Sequence, residues 1–304
     1  MLVSDFGFRI SDLLQVCARN VLTYMTFVRC SLILSVGIAA SAWAEDDPPA
    51  KGIQDNSFLI EEAYNQEAGV VQHIFNGLYR HIGNGEHAAD LAFTQEWPLF
   101  SQRHQLSYTV PYSFMKENGE WTNGVNDVLL NYRLQALFET DQIPAFAPRL
   151  SLILPTGDAD KGFGNDTVGT QLNLPVSKVI SDRWTMHANL GATFYPDADD
   201  HFLDRYFVGG SVIYAATRDF NLVLECIGNF DEDLDRRGGT ERTSAVVVSP
   251  GIRYAWNFPN GAQVVGGVAV PVGLTNDAAD YGVFLYLSIE HSFLRPKKTE
   301  ILAK

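Results

Sequence analysis

Seven charged residues, Glu96, Asp127, Arg133, Arg149, Glu225, Arg253 and Glu290, sit inside stretches otherwise built from apolar and small side chains. Charges held away from water must find partners. Four carboxylates among three arginines therefore predict mutual pairing, or a charged filter if an aqueous path runs between them. Carboxylates also gather at Asp158, Asp160 and Asp166, at Asp197, Asp199, Asp200 and Asp204, and at Asp231, Glu232, Asp233 and Asp235. Hard oxygen ligands of this kind can hold calcium or magnesium, but Asp158-Ala159-Asp160 lacks the spaced ligands and closing Glu of a calcium loop. Solvated loop charge is the expectation, with no metal or other cofactor. Catalysis has little to work with: His73, His81, His87, His104, His187, His201 and His291 are dispersed, and no phosphate-cradling glycine motif occurs. His291 and Ser292 are neighbours, so on a strand they face opposite ways and cannot form a hydrolase pair. An enzyme is not expected, and a net charge of -14 argues against nucleic acid as a partner.

The stretches that carry these charges alternate with period two. In residues 280–293, Tyr281, Val283, Leu285, Leu287, Ile289 and Phe293 share one face, and Gly282, Ser288, Glu290 and Ser292 the other. The same split sets Val128, Leu130, Tyr132, Leu134, Ala136 and Phe138 against Asp127, Asn131, Arg133 and Gln135. It also sets Trp184, Met186, Ala188, Leu190, Ala192 and Phe194 against Thr185, His187, Asn189 and Thr193. Twelve such stretches are readable, at 70–80, 88–99, 104–114, 125–138, 147–156, 167–178, 182–195, 204–217, 219–230, 242–257, 261–273 and 280–293. The first has apolar residues on both faces and its orientation stays open. Most reach the roughly 9 to 11 residues that a tilted strand needs to cross a bilayer, and an even count suits a bacterial barrel. The connections alternate too. Phe100 to Arg103, Ser181-Asp182, Arg218 and Pro259-Asn260 are short, whereas Lys116 to Asn123, Gly157 to Asp166, Pro196 to Asp204, Asp231 to Glu241 and Leu274 to Ala279 are longer. The fold class is all-β: a transmembrane antiparallel β-barrel of about 12 strands, closed because no open sheet edge survives in hydrocarbon.

The chain has 304 residues, and its one run with targeting character is near the N-terminus. Met25 to Arg29 supplies a basic start, Ser31 to Ala40 an apolar centre and Ala42-Trp43-Ala44 a small-residue cleavage site. Residues 1–44 are read as a signal peptide whose true start is Met25, residues 45–69 as a lead-in or lumen plug, 70–293 as the barrel and 294–304 as a periplasmic tail. Cys17 and Cys30 precede the cut, which leaves Cys226 without an internal partner.

The block Asn56-Ser57-Phe58-Leu59-Ile60-Glu61-Glu62-Ala63-Tyr64-Asn65-Gln66-Glu67-Ala68-Gly69-Val70-Val71-Gln72-His73-Ile74 resembles a family of outer-membrane transporters named for the meta-pathway of phenol degradation. The resemblance implies a barrel and passage of small, often aromatic or apolar compounds, and brings no catalytic residues with it.

Counting Asn56 to Glu67 as a thirteenth strand would leave an odd total, so this segment is expected inside the lumen or at its periplasmic mouth. Phe58, Ile60 and Tyr64 would pack in the pore, and Glu61, Glu62 and Glu67 would meet Arg133, Arg149 and Arg253. The expected function is a passive outer-membrane channel of a Gram-negative cell. The rival reading is a structural or adhesive barrel with a closed lumen. Expected partners are outer-membrane lipid, lipopolysaccharide through Arg205, Arg236, Arg237 and Arg242, the barrel-assembly machinery through the strand ending at Phe293, and a small-molecule permeant.

Overall fold

A computed structural model describes residues 53, 55–83, 85–235 and 238–293. The signal peptide, the start at Met25, the tail and Arg236 and Arg237 lie outside the described residues.

Sixteen hydrogen-bonded runs make one antiparallel sheet, and eight of them are halves of four interrupted strands, so the wall has twelve. They are β1 (Val70–Gly83), β2 (Glu86–Leu99), β3 (Ser101–Glu117), β4 (Glu120–Val125 and Val128–Leu134), β5 (Ala145–Phe146 and Arg149–Leu154) and β6 (Gly169–Asn173 and Val176–Ser181). The second half comprises β7 (Trp184–Ala198), β8 (His201–Ala215), β9 (Phe220–Leu234), β10 (Thr240–Asn257), β11 (Gln263–Ala269 and Val272–Gly273) and β12 (Tyr281–Ser292). Three of the four interruptions hold a proline, Pro148, Pro175 or Pro271, which has no N–H to give the ladder. β1 pairs with β12 from Val70↔Ser292 to His81↔Tyr281, and this seam closes the cylinder.

The alternation read from the sequence is the alternation of the wall. Tyr281, Val283, Leu285 and Leu287 project outward and exposed, while Phe284, Tyr286 and Ser288 are buried inside. Leu130, Tyr132, Trp184, Met186, Leu190, Leu222 and Leu224 join the outward band. So continuous an apolar belt would be costly in water, and hydrocarbon is its natural solvent. β1 resolves in the same way, with Gln72 and Ile74 buried inside and Phe75 and Tyr79 exposed outside. A charge placed in this belt should therefore be expensive. Leu285→Arg is expected to lower stability in vesicles by about 2–4 kcal/mol, read as a fall in the urea midpoint; an unchanged midpoint would put Leu285 off the lipid face.

The connections differ from expectation. β3 and β4 close on Asn118-Gly119, both with positive φ (50° and 88°), and β7 and β8 on Asp199-Asp200 (47° and 61°). Such left-handed pairs make two-residue hairpins whose twist matches the strands, so residues 116–117, 120–123, 196–198 and 201–204 extend the wall. Residues 155–168 remain a long loop, with one short helical turn at Ala159–Lys161, and residues 135–144 and 274–280 form further extended connections. Below, the near rim is the end where β1 begins and β12 finishes, and the far rim is the opposite end.

Candidate functional site

Residues 55–66 run through the interior near the near rim, and many of the polar backbone groups there meet an inward side chain. Glu225 of β9 accepts from three successive N–H groups, those of Phe58, Leu59 and Ile60, at 2.9, 3.0 and 3.1 Å. Asn189 of β7 bonds the N–H and the C=O of Glu61. Ser177 accepts from Ala63 N–H, Gln135 pairs with both Asn65 N–H and Ala63 C=O, and Gln105 accepts from Gln66 N–H. Two arginines grip the carbonyls. Arg133 donates to those of Glu62 and Tyr64 and to Asn65 Oδ1, and Arg253 to those of Ile53, Asp55 and Asn56. Buried Asp55 accepts from Tyr286, Ser288 and Gln72. The segment has no sheet or helix of its own, so inward side chains of the barrel do the work that a ladder would do.

Its apolar side chains sit on glycines. A Cβ at Gly251 or Gly267 would approach the Phe58 ring to 2.4 or 2.5 Å, and one at Gly209 would approach Ile60 to 2.6 Å. Phe58 also meets Phe284 and Tyr286 edge-on, with centroids at 5.7 and 6.2 Å. Gly267→Val is thus expected to evict Phe58 and loosen the segment. A glutamate-specific protease should then cut at Glu61 or Glu62 faster than in the parent; equal rates would deny the seat a role.

The seven candidate charges have separate settings. Glu96 and Arg133 are the one close pair among them, at 3.6 Å, and Gln105 also donates to Glu96. Arg149 pairs with Glu61 of the segment at 2.9 Å and also donates to Asn131, Ser151 and Gln171. Burial pushes the Glu61 carboxyl up, but Arg149 and Arg133 outweigh it and hold the group below the usual carboxylate range. Glu62 goes the other way: burial and nearby Asp55 raise it despite Arg133 and Arg253. Asp127 accepts from the N–H groups of Gly157 and Asn165 and ties the long loop to β4. Glu225 and Arg253 serve the segment's backbone rather than each other. Glu290 is near Asp55 and Glu67, both acidic. Three expected contacts are corrected. Glu67 is exposed beyond the packed part of the segment and does not meet an arginine, Arg133 takes the backbone of Glu62 rather than its carboxylate, and Arg253 takes backbone carbonyls. The reason is common to the two arginines: a chain without secondary structure presents bare carbonyls, and a guanidinium satisfies several at once. Tyr64, half-buried, donates to Glu139.

Sequence reading passed over Asp55, Gln105, Ser177 and the glycine seats. Gln105 and Ser177 fall on inward positions, so the alternation could have found them; Asp55 and the glycines leave no periodic trace. Arg205 and Arg242, expected to meet lipopolysaccharide, pair with Asp233 and with Asp204 and Glu232, and Asp158 pairs with Lys161.

On the far side of the segment a cavity of about 360 Å³ remains. Phe58, Leu59 and Ile60 contribute to its surface with Ile74, Leu129 and Phe207, and Asn76, Asn131, Gln171 and Asn229 add amides.

Residues 63–285 match the model of the family described as "MetA-pathway of phenol degradation". The chain belongs to that family. Among solved structures it is similar to the COG4313 outer membrane channel from Pseudomonas putida F1, with a TM-score of 0.56 and 13% identity over 76% of this chain and 98% of that one. It also aligns with the KdgM porin at a TM-score of 0.44 and 13% identity, over 73% of this chain and 99% of that one. No curated protein matches it in sequence. The first likeness supports the barrel as the fold of this family member.

Proposed function

We propose that this family member is a passive channel of the Gram-negative outer membrane for small apolar or aromatic compounds, held shut in the present state by residues 55–66. The observation that carries this reading is the cavity inside a sealed wall, floored by Phe58, Leu59 and Ile60 and lined on its other sides by amides and by the charged Glu61, Glu96 and Arg149. Apolar surface with a few placed polar groups is the usual make-up of a small-molecule site. Twelve strands enclose less space than the 16 of open aqueous porins, so one unstructured segment suffices to fill the cross-section. In this orientation the near rim faces the periplasm, where an exported chain would enter it. The far rim stands among lipopolysaccharide, and β12 with Phe293 is the strand offered to the assembly machinery.

The dense bonding of the segment favours a second reading, a structural or adhesive barrel that never opens. Liposome swelling separates the two. Uptake of aromatic acids in preference to sugars supports the channel. Vesicles that stay sealed both with the whole chain and with one lacking residues 56–67 support the closed barrel.

A further inference from the structure

Four of the seven histidines that look scattered along the sequence meet in two pairs on the outer face of the β1 seam. His81 of β1 and His87 of β2 are direct cross-strand partners, and their Nδ1 atoms stand 3.3 Å apart. Behind His81, its Nε2 faces Asp280 Oδ2 at 3.8 Å. The Tyr79 hydroxyl lies 2.9 Å from His87 Nδ1. The arrangement that suits both outer partners puts the His81 hydrogen on Nε2, toward the carboxylate, and makes the tyrosine the donor to His87. His81 Nδ1 then keeps its lone pair free, and His87 Nδ1 offers its own to the same small space once the tyrosine hydrogen turns away. A separation of 3.3 Å is long for N–H···N bonding. It matches the ~3.3 Å edge that two nitrogens span on a tetrahedral ion with metal–nitrogen bonds of about 2.05 Å.

We infer that His81 and His87 form a surface site for a divalent transition-metal ion of the zinc or copper class. Imidazole is the ligand those ions favour. Asp280, at 3.8 Å just beyond hydrogen-bond reach of His81 Nε2, is placed to take the supporting part that carboxylates play behind metal-bound histidines, its charge favouring a hydrogen on Nε2. The Tyr79 oxygen is placed to become a third ligand once its hydrogen turns away, and water completes the shell. The site lies at the far rim, where Asp280 is well exposed, so an ion reaches it from water. Bound there, the ion staples the first hairpin on its outer side, next to the closing seam. The role is separate from the lumen and does not depend on passage of any solute.

A second pair complicates the test. His73 Nε2 and His291 Nε2 also stand 3.3 Å apart, across the seam at the near rim. The experiment therefore uses the whole folded barrel in detergent with His73→Ala and His291→Ala, which leaves the far-rim pair alone. Zinc titration by calorimetry should show one equivalent bound, and copper electron paramagnetic resonance should show splitting from two nitrogens. Adding His81→Ala or His87→Ala should weaken zinc at least about tenfold and halve the nitrogen count, whereas Asp280→Asn should weaken it about tenfold and leave the count at two. Heat-modifiable gel migration verifies that each variant is folded. Absence of zinc binding in the starting variant, or binding that survives loss of either histidine, overturns the site.

Discussion

Removing residues 56–67 is expected to turn a nearly silent barrel into a conducting one, with single-channel conductance in planar bilayers rising by more than about tenfold as the lumen fills with water. The wall does not depend on the segment for its own hydrogen bonds, since β1 to β12 close through the Val70↔Ser292 seam without it. What the deletion exposes is Glu225, Arg133, Arg253, Asn189 and Gln135, which water can solvate once the cross-section is open. The cost that makes buried unpaired charge so damaging in a dry core is therefore relieved, and the deleted barrel should still fold and shift on a gel. Conductance unchanged by the deletion would mean that the lumen is blocked elsewhere.

The second large effect is expected from Arg133→Ala. Its guanidinium is nearly buried, pairs with Glu96 at 3.6 Å and holds two carbonyls and the Asn65 amide oxygen. Losing one partner of a buried pair costs about 3–5 kcal/mol. Here part of that cost can be met by letting residues 62–65 leave the lumen and water reach Glu96. The substitution should therefore raise open probability and speed hydrogen exchange at Ala63 and Asn65 while the barrel keeps its urea midpoint. If instead the whole barrel lost several kcal/mol with no change in exchange at the segment, Arg133 would be a part of the wall and not a clamp.

How far the sequence discloses this molecule depends on periodicity. Every strand of the barrel appears in it because Leu130, Tyr132, Leu190 and Leu285 must face hydrocarbon while Asn131, Arg133 and Asn189 may not, and that demand repeats every second residue. Strand ends were less visible. Asn118-Gly119 and Asp199-Asp200 look like loop residues, yet each is a complete hairpin, and the polar residues beside them continue the ladder. Phe284 and Tyr286 turn inward as period two requires although they are aromatic, and Phe58 packs with them there. Pairing in the lumen was legible as a need but not as a set of partners, since Glu225 and Arg253 answer backbone groups of a segment that has no period. Cross-strand meetings such as His81 with His87 depend on register, which a single strand does not carry.

The central claim is that residues 55–66 stand in the solute's way and must move for anything to pass. Ser57 Oγ and Ser211 Oγ are 2.7 Å apart, joining the segment to β8, so Ser57→Cys with Ser211→Cys, in a background where the exposed Cys226 is serine, should form a disulfide. Solute uptake into liposomes is the measurement: the account predicts that the oxidised barrel stays sealed and that a reductant restores swelling. Swelling that is equally fast with the bond formed and with it reduced would contradict it.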